Sequence, residues 1–271
     1  MGVELPIRTV DFTVPDDFDP AWQPRRPELA CVANAVSLLM PAVEPYVVRS
    51  VRAAAAELGD EHAGLARRAA GYVAQESRHH REHRRLNRVL VRRTPALGPI
   101  ERAGAATVRL LERRTSAAFG VAFAAGFEAV AYATARWVHE HLGELFDGAD
   151  PRAAELFLWH LAEEVEHKDV ARAVLDAGSG GRPGWRRRYA AATVAALVVL
   201  GTATVAATVV QLVATRRWWR PVAWARLVRW GVGYAFDLLP DLATTLRRDH
   251  RPADFVDPSW FALWLTRYPR A

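Results

Sequence analysis

Lysine is almost absent from this chain: Lys168 is the sole one among 271 residues, and arginine carries nearly all the positive charge. Cysteine is as scarce. With Cys31 alone, an internal disulfide framework and a cysteine-built zinc site are both excluded, and a reducing compartment is the natural setting. The opening twenty residues lack the apolar run of a signal peptide, so no export leader is expected. Pro6 occupies the position where a myristoylation motif starting at Gly2 needs Ser or Thr. No stretch alternates polar and apolar long enough for a sheet, and there is neither a nucleophile elbow of the serine-hydrolase kind nor a nucleic-acid-binding motif.

What is present is apolar and basic. Hydrophobic residues make up 51%, the formal net charge is +6, and the pI is near 10. That balance fits an anionic partner. Without a nucleic-acid motif, a membrane surface is the expected one.

The chain divides into three stretches. Residues 1–30 hold Pro6, Pro15, Pro20, Pro24 and Pro27, which predicts an extended arm. Residues 31–180 read as a helical bundle, with helices near 34–58, 60–93, 98–114, 116–145 and 150–177. Gly59, Pro95, Pro99, Gly148 and the Gly178–Gly184 segment punctuate them. Asp150 followed by Pro151 has the form of a cap and a first-turn proline. Residues 181–271 form an apolar extension. It opens with the uncharged run Tyr189–Thr215, flanked by Arg186, Arg187 and Arg188 before it and Arg216, Arg217 and Arg220 after it. Trp218, Trp219, Trp224 and Trp230 follow, then a tail with Pro252, Pro258 and Pro269. A run of this length can cross a bilayer. The expectation is membrane association through 189–215 at the cytoplasmic face, spanning or interfacial. The competing reading is a long helix buried against the bundle or against a homodimer mate.

The chemistry lies in the middle stretch. Glu76-Ser77-Arg78-His79 places a carboxylate and an imidazole three residues apart, on one helix face, and Glu164-Val165-Glu166-His167 repeats the spacing. A di-metal site in a helical bundle takes one Glu from each of two helices and a Glu-x-x-His from each of two others. Glu44 lies 32 residues before Glu76 and Glu128 lies 36 before Glu164, each about one helix and a turn away. All four fall within otherwise apolar stripes: Ser37, Met40, Glu44, Val47 and Val51; Tyr72, Glu76, His79 and Leu86; Val121, Ala124, Glu128 and Ala135; Phe157, His160, Glu164, His167 and Val174. Burying unpaired carboxylates costs several kcal/mol, so the interruptions need a partner, and two metal ions supply one. His160 precedes Glu164 by one turn on the same face and is an expected seventh ligand. His83, one turn beyond His79, is either a nitrogen ligand or a group that orients one. Asn87 and Asp169 are candidates for supporting roles, whereas His80 and Glu163 are expected off the metal-facing stripe. Pro41 and Pro45 predict that the first helix starts or kinks beside Glu44.

Gln75-Glu76-Ser77-Arg78-His79-His80-Arg81-Glu82-His83, followed by Asn87, resembles the QE-x-x-H-x-x-x-H-x-x-x-N motif of the bacterial "predicted metal-dependent hydrolase" family. Trp159-His160-Leu161-Ala162-Glu163-Glu164-Val165-Glu166-His167-Lys168 resembles its WH-x-x-EE-x-EHK motif. The likeness covers roughly residues 30–180; Val43 and Pro45 around Glu44 depart from the family's usual Gly-Glu. It implies an all-α, ferritin-like four-helix bundle and, by the family's name, hydrolysis by a metal-activated water. The His160, Glu164, His167 pattern is also similar to that of di-iron arylamine N-oxygenases, which implies two irons and dioxygen chemistry. Mixed carboxylate and imidazole ligation suits iron, with manganese the alternative. The leading expectation is a di-iron oxygenase or oxidase acting on an apolar or amine small molecule with an electron donor. A metal-dependent hydrolase and a non-catalytic, metal-binding membrane protein are the alternatives.

Overall fold

A computed structural model describes residues 5–8, 12, 14–179, 183–247 and 255–267. The rest of the proline-rich arm, residues 180–182, Pro252 and Pro269 lie outside the described residues. Among the described residues there are helices and no strand. They are α1 (Pro27–Ala56), α2 (Ala63–Arg93), α3 (Leu97–Arg114), α4 (Ala117–Glu140), α5 (Leu142–Phe146), α6 (Pro151–His167), α7 (Val170–Ser179), α8 (Trp185–Ala214), α9 (Pro221–Thr245) and α10 (Ser259–Arg267), with a short 3-10 turn at Asp60–His62. The fold is all-α. α1, α2, α4 and the α6–α7 pair surround one interior, an arrangement compatible with the expected four-helix bundle.

α1 starts at Pro27, seven residues before the expected Asn34, because a proline in the first turn gives up only an N–H that would have had no helical partner. Neither internal proline interrupts the helix. Pro41 has no N–H to give the Ser37 carbonyl four residues back, and Asn87 Nδ2 on α2 donates to that carbonyl instead, at 2.9 Å. Glu44 therefore stays on the interior face, fully buried. α4 is capped by Ser116, whose side chain accepts from the Phe119 N–H. It stops at Glu140 rather than 145, where His141 Nδ1 donates to the Trp137 carbonyl. Asp150 and Pro151 open α6 as expected. The helix expected to run to 177 breaks after His167, where Lys168 pairs with Asp257 and Asp169 turns out to Arg68 at 2.7 Å.

Two apolar clusters sandwich the middle of the bundle. One joins Leu39, Met40, Val47, Phe123 and Val174. The other joins Leu38, Leu86, Leu90, Phe157 and Trp159 with Phe12, Phe18 and Trp22 of the arm. Burying each such side chain is worth about 1.5–3 kcal/mol, which holds the polar residues between the clusters in fixed positions.

α8 packs along α1 and α4 with one face, through Tyr189, Ala192, Ala196 and Leu212. The approach to α4 is close enough to require Gly126, since a Cβ there would lie 2.6 Å from Thr193 Oγ1 and 2.8 Å from its Cα. The opposite face of α8 is open. α1, α4 and α8 are each long and apolar enough to cross a membrane, but the apolar stretches of α1 and α4 are 67% buried within the protein and that of α8 only 22%.

Candidate metal centre

Glu44 from α1, Glu76 and His79 from α2, Glu128 from α4, and His160, Glu164 and His167 from α6 converge between the two apolar clusters. All are buried; His160, at 8% exposure, is the most open. One donor atom each from Glu76, His79, Glu164 and His167 lie within 4.8 Å of one another, and so do those of Glu44, His83 and His160. His167 Nδ1 is 2.9 Å from Glu76 Oε1, 3.6 Å from Glu164 Oε2 and 3.8 Å from Glu128 Oε2. His79 Nδ1 is 3.5 Å from Glu76 Oε1 and 3.6 Å from Glu164 Oε1. His160 Nε2 is 2.7 Å from Glu164 Oε1 and 3.7 Å from Glu44 Oε1.

Each imidazole is held by its outer nitrogen. His79 Nε2 donates to Glu163 Oε2 at 3.0 Å. His167 Nε2 donates to Gln75 Oε1 at 2.8 Å, and the Gln75 amide is oriented by donating from Nε2 to the Pro6 carbonyl and to Glu166. The residue before the glutamate of each motif thus anchors the histidine of the other motif. Arg8 of the arm closes this layer, bidentate to Glu166 at 2.6 and 2.7 Å and 3.5 Å from Glu163. With the outer nitrogens occupied, Nδ1 of both rings faces the carboxylates, the orientation that second-layer partners impose on metal-binding histidines.

A longer chain orients His160. Asn87 spends its amide nitrogen on the Ser37 carbonyl that Pro41 releases, so its oxygen accepts the Ser37 hydroxyl proton at 2.8 Å. Ser37 Oγ then accepts from His83 Nδ1 at 2.8 Å, and His83 Nε2 accepts from His160 Nδ1 at 2.6 Å. The lone pair of His160 is left on Nε2, aimed at Glu164 and Glu44. Both nitrogens of His83 are used in this chain, so in this arrangement it positions His160. Burial, then the neighbouring His160 and His79, hold His83 well below the usual imidazole range, and burial and His79 lower His160, so both rings are neutral at pH 7.

The carboxylates lack enough protein donors. Both oxygens of Glu44, Oε2 of Glu128 and Oε2 of Glu164 are buried without a hydrogen-bond partner. Burial, then the charge of Glu76, pushes the Glu44 carboxyl well above its usual range, and burial and Glu164 do the same to Glu128. Burial also opposes ionisation of Glu164, but bonds with His160 and His167 hold it well below. Burial and Glu164 act against Glu76 too, and His167 and His79 prevail. Burial disfavours the charged form of His79, yet Glu163 and Glu76 raise it to about 10, and Glu164 and Glu76 raise His167 in the same way. The metal-free centre therefore holds protons at His79 and His167, and a divalent cation would replace them while supplying the missing partners. The donor set fits a metal cofactor.

Two expectations need correction. Asp169 faces away from the centre in its pair with Arg68. Glu163, expected off the metal-facing stripe, is 1% exposed and anchors His79. His80 does lie off it, bonded to the Glu76 carbonyl. Tyr72 was not singled out as a site residue, although it lies on the same stripe; its hydroxyl donates to Glu128 Oε1 at 2.5 Å. No curated protein and no solved structure matches the chain. A family model described as "Predicted metal-dependent hydrolase" matches residues 6–255, a span that includes most of the arm as well as every residue of the centre, and the chain belongs to that family.

Proposed function

We propose that Glu44, Glu76, His79, Glu128, His160, Glu164 and His167 bind two iron ions, and that the protein is an oxidoreductase using dioxygen on an apolar or amine small molecule. The observation that carries this reading is the enclosure of four carboxylates and three oriented imidazoles in an apolar interior. The ligand mixture suits iron or manganese. When bound by these residues, a redox-active metal pair would supply the electrons for dioxygen chemistry, and dioxygen is small and apolar enough to reach an apolar interior. The protein excludes bulk water through the two apolar clusters and keeps Nδ1 of His79 and His167 and Nε2 of His160 turned inward. Tyr72 and Trp159, the latter edge-on to His79 with ring centroids 4.8 Å apart, put oxidisable rings beside the ligands. An external electron donor completes the cycle. The exposed apolar faces of α8 and α9 support work at a membrane surface, on the cytoplasmic side, where apolar substrates concentrate.

Hydrolysis is the second reading, and the family description favours it. Two metals can activate water and steady a leaving oxygen. The two part on one experiment: anaerobic loading with Fe(II), then measurement of oxygen uptake against ester and phosphoester cleavage. Uptake in proportion to bound iron supports the oxidoreductase. A redox-silent centre that cleaves esters supports the hydrolase and overturns the first reading.

A further inference from the structure

The exposed large apolar side chains are unevenly distributed. Val194, Val198, Val205 and Val213 on α8, Trp218 and Trp219 in the turn, and Val222, Trp224, Val228, Val232, Phe236 and Leu239 on α9 all lie within one hairpin. Phe236 is 74% exposed and Val205 64%. An open apolar surface of this extent marks an interaction site. The same stretch contains no acid at all between Asp176 and Asp237, while Arg187, Arg188, Arg216 and Arg220 are exposed at the two ends of α8.

We infer that the outward faces of α8 and α9 dock in the plane of a bilayer bearing anionic headgroups, with the valines and Phe236 in the acyl boundary and the arginines at the phosphates. The inference rests on the membrane placement proposed above and is independent of what the metals do. Charge chooses between occupants. A second copy of the chain would bring arginine against arginine, with Asp237 towards the far end of α9 as the one exposed acid among the described residues of the hairpin, whereas an anionic lipid surface attracts each arginine near it. Tryptophans at the turn suit the headgroup level.

Packing chooses between docking and spanning. The inner face of α8 is joined to α1 by polar contacts: Gln211 Nε2 donates to the Cys31 carbonyl at 2.8 Å, and Asn34 Nδ2 donates to Gln211 Oε1 at 3.1 Å. α8 cannot enter the hydrocarbon without α1 and α3, which carry the exposed Arg49, Arg52, Arg109 and Arg113. α9 is tied to the same body through Arg226 and Glu28 at one end, and Thr245 accepts from Tyr189 of α8 at the other. One flank of the bundle thus faces lipid, and the arginine-rich α2 faces water.

The test is flotation of the full, metal-loaded chain with vesicles of phosphatidylcholine alone and of phosphatidylcholine with phosphatidylglycerol. The expected result is binding to the anionic vesicles, weakened by high salt and released by an alkaline carbonate wash. Replacing Arg187, Arg188, Arg216 and Arg220 by Gln should weaken anionic binding about fivefold per arginine. Val198→Asp with Phe236→Asp should reduce it at least about tenfold, the loss of buried apolar area at two sites, with helicity and metal content unchanged because both positions are exposed. Failure to bind either vesicle overturns the membrane placement itself. Binding that neither set of substitutions alters overturns this face as the docking surface, and binding that survives carbonate means a spanning helix. A dimer in light scattering that Val198→Asp dissociates, without vesicle binding, assigns the face to a second copy.

Discussion

Glu44→Met removes the ligand that the protein itself supports least. Neither Glu44 oxygen has a hydrogen-bond partner, and burial has already pushed its carboxyl well above the usual range. Leaving a buried polar group unsatisfied costs about 1–3 kcal/mol, and replacing buried ionic groups with apolar ones of similar volume is neutral or stabilising by about 1–4 kcal/mol. Methionine has a similar volume and no charge. The metal-free variant should therefore be about 2 kcal/mol more stable than the metal-free wild type. At about 2–4 °C per kcal/mol for a domain of this size, its Tm should rise by roughly 4–8 °C. With metal present the order reverses. A wild-type chain with metal at a thousand times its Kd gains about 4 kcal/mol, and the variant, short of one ligand, gains much less. Differential scanning calorimetry in chelator and in excess Fe(II) or Mn(II) reads both signs. A metal-free variant less stable than wild type, with its metal response intact, would refute the reasoning and make Glu44 a structural residue.

Glu163→Ala frees the outer nitrogen of His79 and should weaken metal binding about 10–100-fold with helicity unchanged, measured by calorimetric titration with Mn(II). Asn87→Leu removes the donor to the Ser37 carbonyl and the acceptor for its hydroxyl, so His83 and His160 lose their fixed tautomers. Affinity should fall by a similar factor, about 10–100-fold, and no change would mean that the chain from Asn87 does not orient His160. Metal-free protein should lose stability as pH rises from about 7.5, where unfolded histidines have lost their protons, to about 10. His79 keeps its proton to about 10 when folded and loses it near 6.5 when unfolded, and the raised Glu44, Glu128 and His167 act with the same sign. The lowered Glu76, Glu164, His83 and His160 contribute a constant across that window, because their unfolded forms have already lost their protons. Denaturant titrations of chelated protein at several pH values should follow that slope, and stability that is flat or rising with pH would count against protonated, metal-competent histidines.

The helical class and the convergence of the seven residues were legible because each interrupts an apolar stripe at helical spacing, and only a shared interior can accommodate four such interruptions. Glu163 was not legible. Its position in the stripe is one residue off the proposed ligand Glu164, and it becomes interior where His79 of another helix reaches it. The Arg8 contacts likewise depend on the arm folding back over α6, which no local periodicity encodes. The concern over Pro45 and Pro41 came from counting one helix in isolation; Asn87, 46 positions after Pro41, supplies the donor that Pro41 lacks. The helix end at Glu140 was set by His141 turning back onto the Trp137 carbonyl, and that at His167 by Lys168 and Asp169 turning to partners outside the run. The open face of α8 was foreshadowed by its uncharged length, but its inner polar contacts to α1 were not.

The central claim is that this cluster is a two-metal site. Its most direct test is elemental analysis of protein loaded anaerobically with Fe(II) and desalted, alongside Glu76→Ala and Glu164→Ala. The account predicts about two metal ions per wild-type chain and loss of most of that metal in each variant. Wild-type protein that retains no stoichiometric metal, or variants that retain all of it, would contradict it.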